Sequence, residues 1–129
     1  MRIACGAAIH GFLAVAAGAF AAHALRERLD PQMFEVFQLA ARYQMYHALA
    51  LLGLATLEAH RPGVWLTRSA CAFHAGILLF SGSLYALGLT SVRTFGLITP
   101  FGGVALLIGW ALLAVETLRS RPAGPPANR

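Results

Sequence analysis

Tyr43 and His47 lie four residues apart in this chain, and so do Ser81 and Tyr85. On a helix that spacing puts both members of a pair on one face. Phenol, imidazole and hydroxyl groups so placed can hold a small polar ligand, relay a proton or fasten one helix to another. Gln44 and Ser83 sit inside the same two blocks, and His23 and Thr99 stand near the ends of neighbouring apolar runs. His23, Tyr43, Gln44, His47, Ser81, Ser83, Tyr85 and Thr99 are therefore the candidate ligand-binding set. The rest of the sequence limits what they could do. His23 and His47 are fewer ligands than a metal normally takes, and no carboxylate lies among them. Tyrosine is a rare haem ligand. No Ser-His-Asp, His-Glu-x-x-His, phosphate-loop or dinucleotide-binding pattern is present. No metal and no cofactor is expected, and binding is favoured over catalysis.

The elements that must position these groups are apolar. Of the 129 residues, 58% are hydrophobic and 12% are charged. A soluble domain of this size has too little interior for so much apolar surface. Apolar stretches run from Ile3 to Leu25, Tyr43 to Ala59, Ser69 to Leu89 and Phe95 to Leu118. Each approaches the ~20 residues that cross a bilayer as a helix. None alternates apolar with polar as a barrel strand would. The expected fold is all-α: one four-helix antiparallel membrane bundle over residues 1–118, followed by a disordered tail over 119–129. Antiparallel threading brings the ends bearing the candidate residues to one side.

Local signals refine this picture. Ala7, Gly11, Ala14, Gly18 and Ala22 form a small-residue stripe that predicts close packing of the first span. Asp30-Pro31 reads as an N-cap with proline at the first helical position. A helix from there to Ala59 would exceed the membrane thickness and extend beyond it. His60-Arg61-Pro62-Gly63 is a turn, and Trp65 is an interfacial anchor. Ala72, Gly76 and Ser83 are expected contacts of the third span, and Gly102, Gly103 and Gly109 of the fourth. Thr99-Pro100 predicts a delayed start to that fourth helix. Arg2 with the run after it imitates a signal peptide, but the run is too long for one and His10 interrupts it; a retained span is expected. His10 and His74 read as packing histidines toward the opposite end. Cys5 and Cys71 read as small buried apolar residues without a disulfide. Glu58 and Glu116 are placed to pair with Arg61 and Arg119.

The formal net charge is +5. Its arginines are spread over helix ends, which speaks for membrane topology and against nucleic-acid binding. One side would hold Arg2, Arg61, Arg68, Arg119, Arg121 and Arg129, the other Arg26, Arg28, Arg42 and Arg93. That imbalance predicts both termini in the cytoplasm and the candidate site near the outer face.

Four ordered blocks carry a family resemblance: Gly18 to Leu25 (GAFAAHAL), Arg42 to Leu52 (RYQMYHALALL), Ala75 to Leu87 (AGILLFSGSLYAL) and Gly96 to Trp110 (GLITPFGGVALLIGW). Together they resemble the small bacterial inner-membrane family described as domain of unknown function 423, with eukaryotic relatives called transmembrane protein 256. The family pattern usually has glycine at Ala21 and Ala24 and threonine at Leu39. The resemblance implies a four-helix protein of the bacterial inner (plasma) membrane and no particular activity. The expected role is non-enzymatic, through membrane lipid, a small ligand or another membrane protein at the polar set. The alternative is a small transporter, or a membrane-embedded redox or hydrolytic component, using the same residues.

Overall fold

The computed structural model describes residues 2–119. Helix α1 (Arg2–Phe20) runs into a π-helical turn (Ala21–Leu25); α2 (Pro31–His60), α3 (Val64–Thr90), a 3-10 turn (Arg93–Leu97) and α4 (Thr99–Arg119) follow. The architecture is the all-α membrane bundle read from the sequence. The tail expected over 119–129 lies outside the described residues except for Arg119, which ends α4.

Capping chemistry sets the boundaries. The Asp30 side chain accepts from the amides of Gln32 and Met33 at 3.0 and 3.1 Å, and Pro31 opens α2. These bonds satisfy two of the amides that a helix start leaves without partners. Ser91, at φ 58°, closes α3 in the left-handed conformation, and its amide reaches the Leu87 carbonyl at 2.8 Å. The fourth apolar run begins as the 3-10 turn and becomes α-helical only at Thr99.

At ~1.5 Å per residue, the 30 residues of α2 reach about 45 Å. By length and composition, three segments can cross a membrane: Arg2–Leu25, Val64–Thr90 and Arg93–Arg119. Helix α2 is long enough but less apolar, because Arg42, Tyr43, Gln44, Tyr46 and His47 interrupt it. It buries Gln44 and His47 against its neighbours, while Arg42 stays exposed with Glu35 3.8 Å away.

The main packed pairs are α1 with α2, α2 with α3, and α3 with α4. Leu51, Leu54, Leu66, Phe73, Ile77 and Leu106 form the centre of the core, joined by Ile3, Ala7 and Ala70. Phe12, Leu97, Phe101 and Leu107 are each about 70% exposed, as side chains facing lipid should be. Trp65 is half-buried at one end, with the guanidinium groups of Arg68 and Arg119 each 5.1 Å from its ring.

Close approach of helices is concentrated on α4. A Cβ on Gly109 would stand 2.6 Å from the Phe73 ring, and one on Gly76 would stand 2.5 Å from Leu106. A Cβ on Gly102 would collide with the backbone of Phe80. The small-residue stripe predicted on the first span needs correction. Gly11 and Gly18 have open space where a Cβ would go. The buried line of α1 and its turn is instead Ile3, Ala7, His10, Ala14, Ala21 and Leu25. Cys5 and Cys71 are also exposed, not buried, because they lie off the inward faces. An apolar surround suits a thiol on either side of a membrane helix.

Candidate functional site

A chain of polar side chains runs across the bundle. The Tyr85 hydroxyl donates to Gln44 Oε1 at 2.7 Å. Gln44 Nε2 lies 3.4 Å from His10 Nδ1, and His10 Nε2 lies 3.1 Å from His74 Nδ1. Three helices supply it: α1 gives His10, α2 gives Gln44, and α3 gives His74 and Tyr85. Gln44 and His10 are buried, at 5% and 8% exposure. Such groups find no partner in lipid, so they pair with one another.

With the amide oxygen on the phenol and its nitrogen on His10, every link donates in one direction. Tyr85 gives to Gln44, Gln44 to His10, and His10 to His74. An amide accepts at oxygen and donates at nitrogen without exchanging a proton between them. Gln44 thus breaks the chain as a proton path while preserving it as a rigid set of hydrogen bonds. Beside His74, α1 comes so close that a Cβ on Gly6 would strike the imidazole.

Next to this chain lies a groove of about 520 Å³ between α1 and α3, floored by Phe37 and Gln44 of α2. Its walls are Leu13, Ala16, Ala17, Phe20, Ile77, Leu78 and Leu89, with Gly82. The polar groups along it are His10, Gln44, Ser81 and Tyr85, and no charged side chain lines it. Ser81 is 2% exposed, and its hydroxyl is the buried side-chain polar atom without a hydrogen-bond partner among the described residues. Helical serine ordinarily returns its hydroxyl to a carbonyl one turn back. Ser81 does not, and it lines the groove.

The eight candidate residues do not form one cluster. Gln44 and Tyr85 are bonded to each other and share the groove with Ser81. His47 belongs to another contact: it donates from Nδ1 to the Tyr43 carbonyl at 2.8 Å and accepts at Nε2 from the Trp110 indole at 3.2 Å. Both of its nitrogens are used, so it has none left for a ligand. Ser83 donates to the Phe80 carbonyl at 3.0 Å and meets the Thr99 hydroxyl at 2.8 Å, joining α3 to α4. Tyr43 is partly exposed and packs against Phe80 at a tilt, with centroids 4.7 Å apart. His23 is exposed on the π turn, apart from all of these contacts.

Sequence reasoning read His10 and His74 as packing histidines but set them at the opposite end, apart from Gln44 and Tyr85, and it overlooked Trp110. A signal for His10 existed. It stands three residues after Ala7 and four before Ala14, on the line that α1 turns inward. Nothing comparable marked Trp110, whose ring is reached from α2 and α3 through His47 and Phe73.

The family model described as protein of unknown function (DUF423) matches residues 17–103, a stretch that includes every candidate residue and most of the groove. The chain belongs to that family. The UPF0382 inner membrane protein YgdD of Escherichia coli K12 is 42% identical over 118 residues, covering 92% of this chain and 90% of the relative. The UPF0382 membrane protein YwdK of Bacillus subtilis 168 is 41% identical over 113 residues, covering 87% and 92%. A UPF0382 membrane protein of Staphylococcus epidermidis is 40% identical over 112 residues, covering 87% and 91%. No solved structure matches the chain. These relatives and the apolar helices make it a membrane protein of the DUF423 family.

Proposed function

We propose that this DUF423 protein binds an uncharged, membrane-dissolved amphiphile in the groove between α1 and α3. One observation carries this reading: a buried hydroxyl, Ser81, left without a partner in the wall of a largely apolar, charge-free groove. An unpaired buried hydroxyl costs about 1–3 kcal/mol. A ligand oxygen in the groove would remove that cost. The groove volume falls within the roughly 300–1,000 Å³ of small-molecule sites. The absence of charge in the lining disfavours phosphate or carboxylate at this depth.

Extraction of the membrane-embedded protein into polymer-bounded discs, followed by lipid mass spectrometry, tests it. The wild type should retain a neutral lipid in excess over surrounding membrane, and Ala17→Trp, which fills the groove, should not. Equal retention by both would sink the reading.

The same proposal places both termini in the cytoplasm, supported by the larger arginine count at the terminal side of the bundle. Membrane-impermeant thiol labelling of an Asp30→Cys variant, against a background with Cys5 and Cys71 replaced, should then proceed from the outer face. Labelling from the cytoplasmic face alone reverses the orientation.

A further inference from the structure

Resting on the groove-binding reading, the direction of the hydrogen-bonded chain allows a sharper statement about what binds. Tyr85 spends its proton on Gln44. The phenol oxygen then keeps its lone pairs, and no donor reaches it among the described residues. Ser81 stands one helical turn before Tyr85 on the same face of α3, with its own O–H unspent. Two residues that line the groove, one turn apart on α3, thus carry an unspent donor and an unspent acceptor. A hydroxyl can accept from Ser81 and donate to Tyr85 at once.

The depth of the pair points the same way. Ser81 lies nine residues short of Thr90, the end of α3, or about 14 Å along the helix axis. A phosphate would be poorly solvated there, and so would an ionised carboxylate. A quinone is neutral but only accepts, which leaves the Tyr85 oxygen unanswered. We infer that the groove takes a neutral long-chain lipid alcohol, its hydroxyl held between Ser81 and Tyr85 and its chain along Leu13, Ala17, Phe20 and Leu78. Gln44 acts as a positioning residue. By accepting the phenol proton it sets Tyr85 as an acceptor, and its bond to His10 holds the amide in that orientation.

Competition binding with a tritiated twenty-carbon isoprenoid alcohol, on the detergent-solubilised full chain, tests the assignment. The competitors are the unlabelled alcohol, its methyl ether, the matching carboxylic acid and a quinone bearing the same tail. The alcohol should bind tightest. The ether loses the donated bond and should bind on the order of five- to tenfold more weakly, the worth of about one hydrogen bond. The quinone should fall with the ether, and the acid should be weaker at neutral pH than below its pKa. Ser81→Ala should weaken the alcohol by a similar factor. Tyr85→Phe should bring alcohol and ether to equal affinity; if that variant does not fold, the wild-type ratio of alcohol to ether decides alone. An ether or quinone as tight as the alcohol overturns the alcohol assignment, by showing that Tyr85 donates into the groove, while groove binding itself stands. Failure of every probe, together with equal lipid retention by wild type and Ala17→Trp, removes groove binding and the alcohol assignment with it.

Discussion

Helix α3 has two flanks, and they are built in opposite ways. Toward α4 it is closely packed. Gly76, Gly102 and Gly109 let backbones and side chains meet without room for a Cβ. Every polar group on that side is answered: Ser69 donates to the Gly109 carbonyl at 2.7 Å, Ser83 meets Thr99, and the Trp110 indole reaches His47. Toward α1 the same helix touches only around His74 and then opens into the groove, where Ser81 goes unanswered. Residues 81 and 83 differ by two positions on one helix, which turns them to opposite sides. The contrast teaches that serine is used here in two ways. On one flank it fastens; on the other its hydroxyl has no partner among the described residues.

The largest test of this contrast uses bulk. Gly102→Leu drives a side chain into the Phe80 backbone, and overpacking of that kind costs about 1–3 kcal/mol or more. The expected result is a large fall in the detergent melting temperature and in membrane abundance. Gly18→Leu on α1, where space is open, should leave both nearly unchanged. Comparable losses from both would show that the two flanks are packed alike.

A smaller effect is expected at His47. Replacing it with leucine strands the Trp110 indole N–H, at a cost of about 1–3 kcal/mol. Melting temperature should drop while lipid retention per folded molecule holds. A folded, abundant His47→Leu variant that retains no lipid would instead place His47 in the binding site.

The finest comparison sets serine against serine. Ser69→Ala breaks a buried hydrogen bond and should cost about 0.5–1.5 kcal/mol. Ser81→Ala, assayed after delipidation, removes an unsatisfied hydroxyl and should cost nothing or stabilise slightly. Equal losses in chemical or thermal unfolding would mean that Ser81 is bonded within the protein.

Much of this architecture was legible because membrane helices announce themselves by length and by their ends. Asp30-Pro31 marked the start of α2 through a side chain that must accept backbone amides. Thr99-Pro100 marked the late start of α4 through proline's restriction of the residue before it. What the residues could not show was which small stripe faces a neighbour. Glycine on α1 and glycine on α4 read alike in sequence, and only the distance between helices separates them. The site was legible in part for a similar reason. Ser81 and Tyr85 were named from their spacing, which fixes faces within one helix, and Gln44 from its place in the block of Tyr43 and His47. Their link to His10 depends on the relative rotation of α1 and α2, which no spacing within one helix encodes. His47 was named as a candidate ligand-binding residue, but its two bonds to Tyr43 and Trp110 occupy it.

The inward-turned polar face of α2 also bears on how the chain enters the membrane during synthesis. A segment carrying Gln44 and His47 partitions poorly into lipid alone, because its amide and imidazole would have no partners there. Its first partner, His10, is on α1 and is made before it; its second, Tyr85, is on α3 and is made after it. Because the partner of His47, Trp110, is on α4 and is made last, α2 should be fully satisfied in lipid only once all four helices have assembled around it.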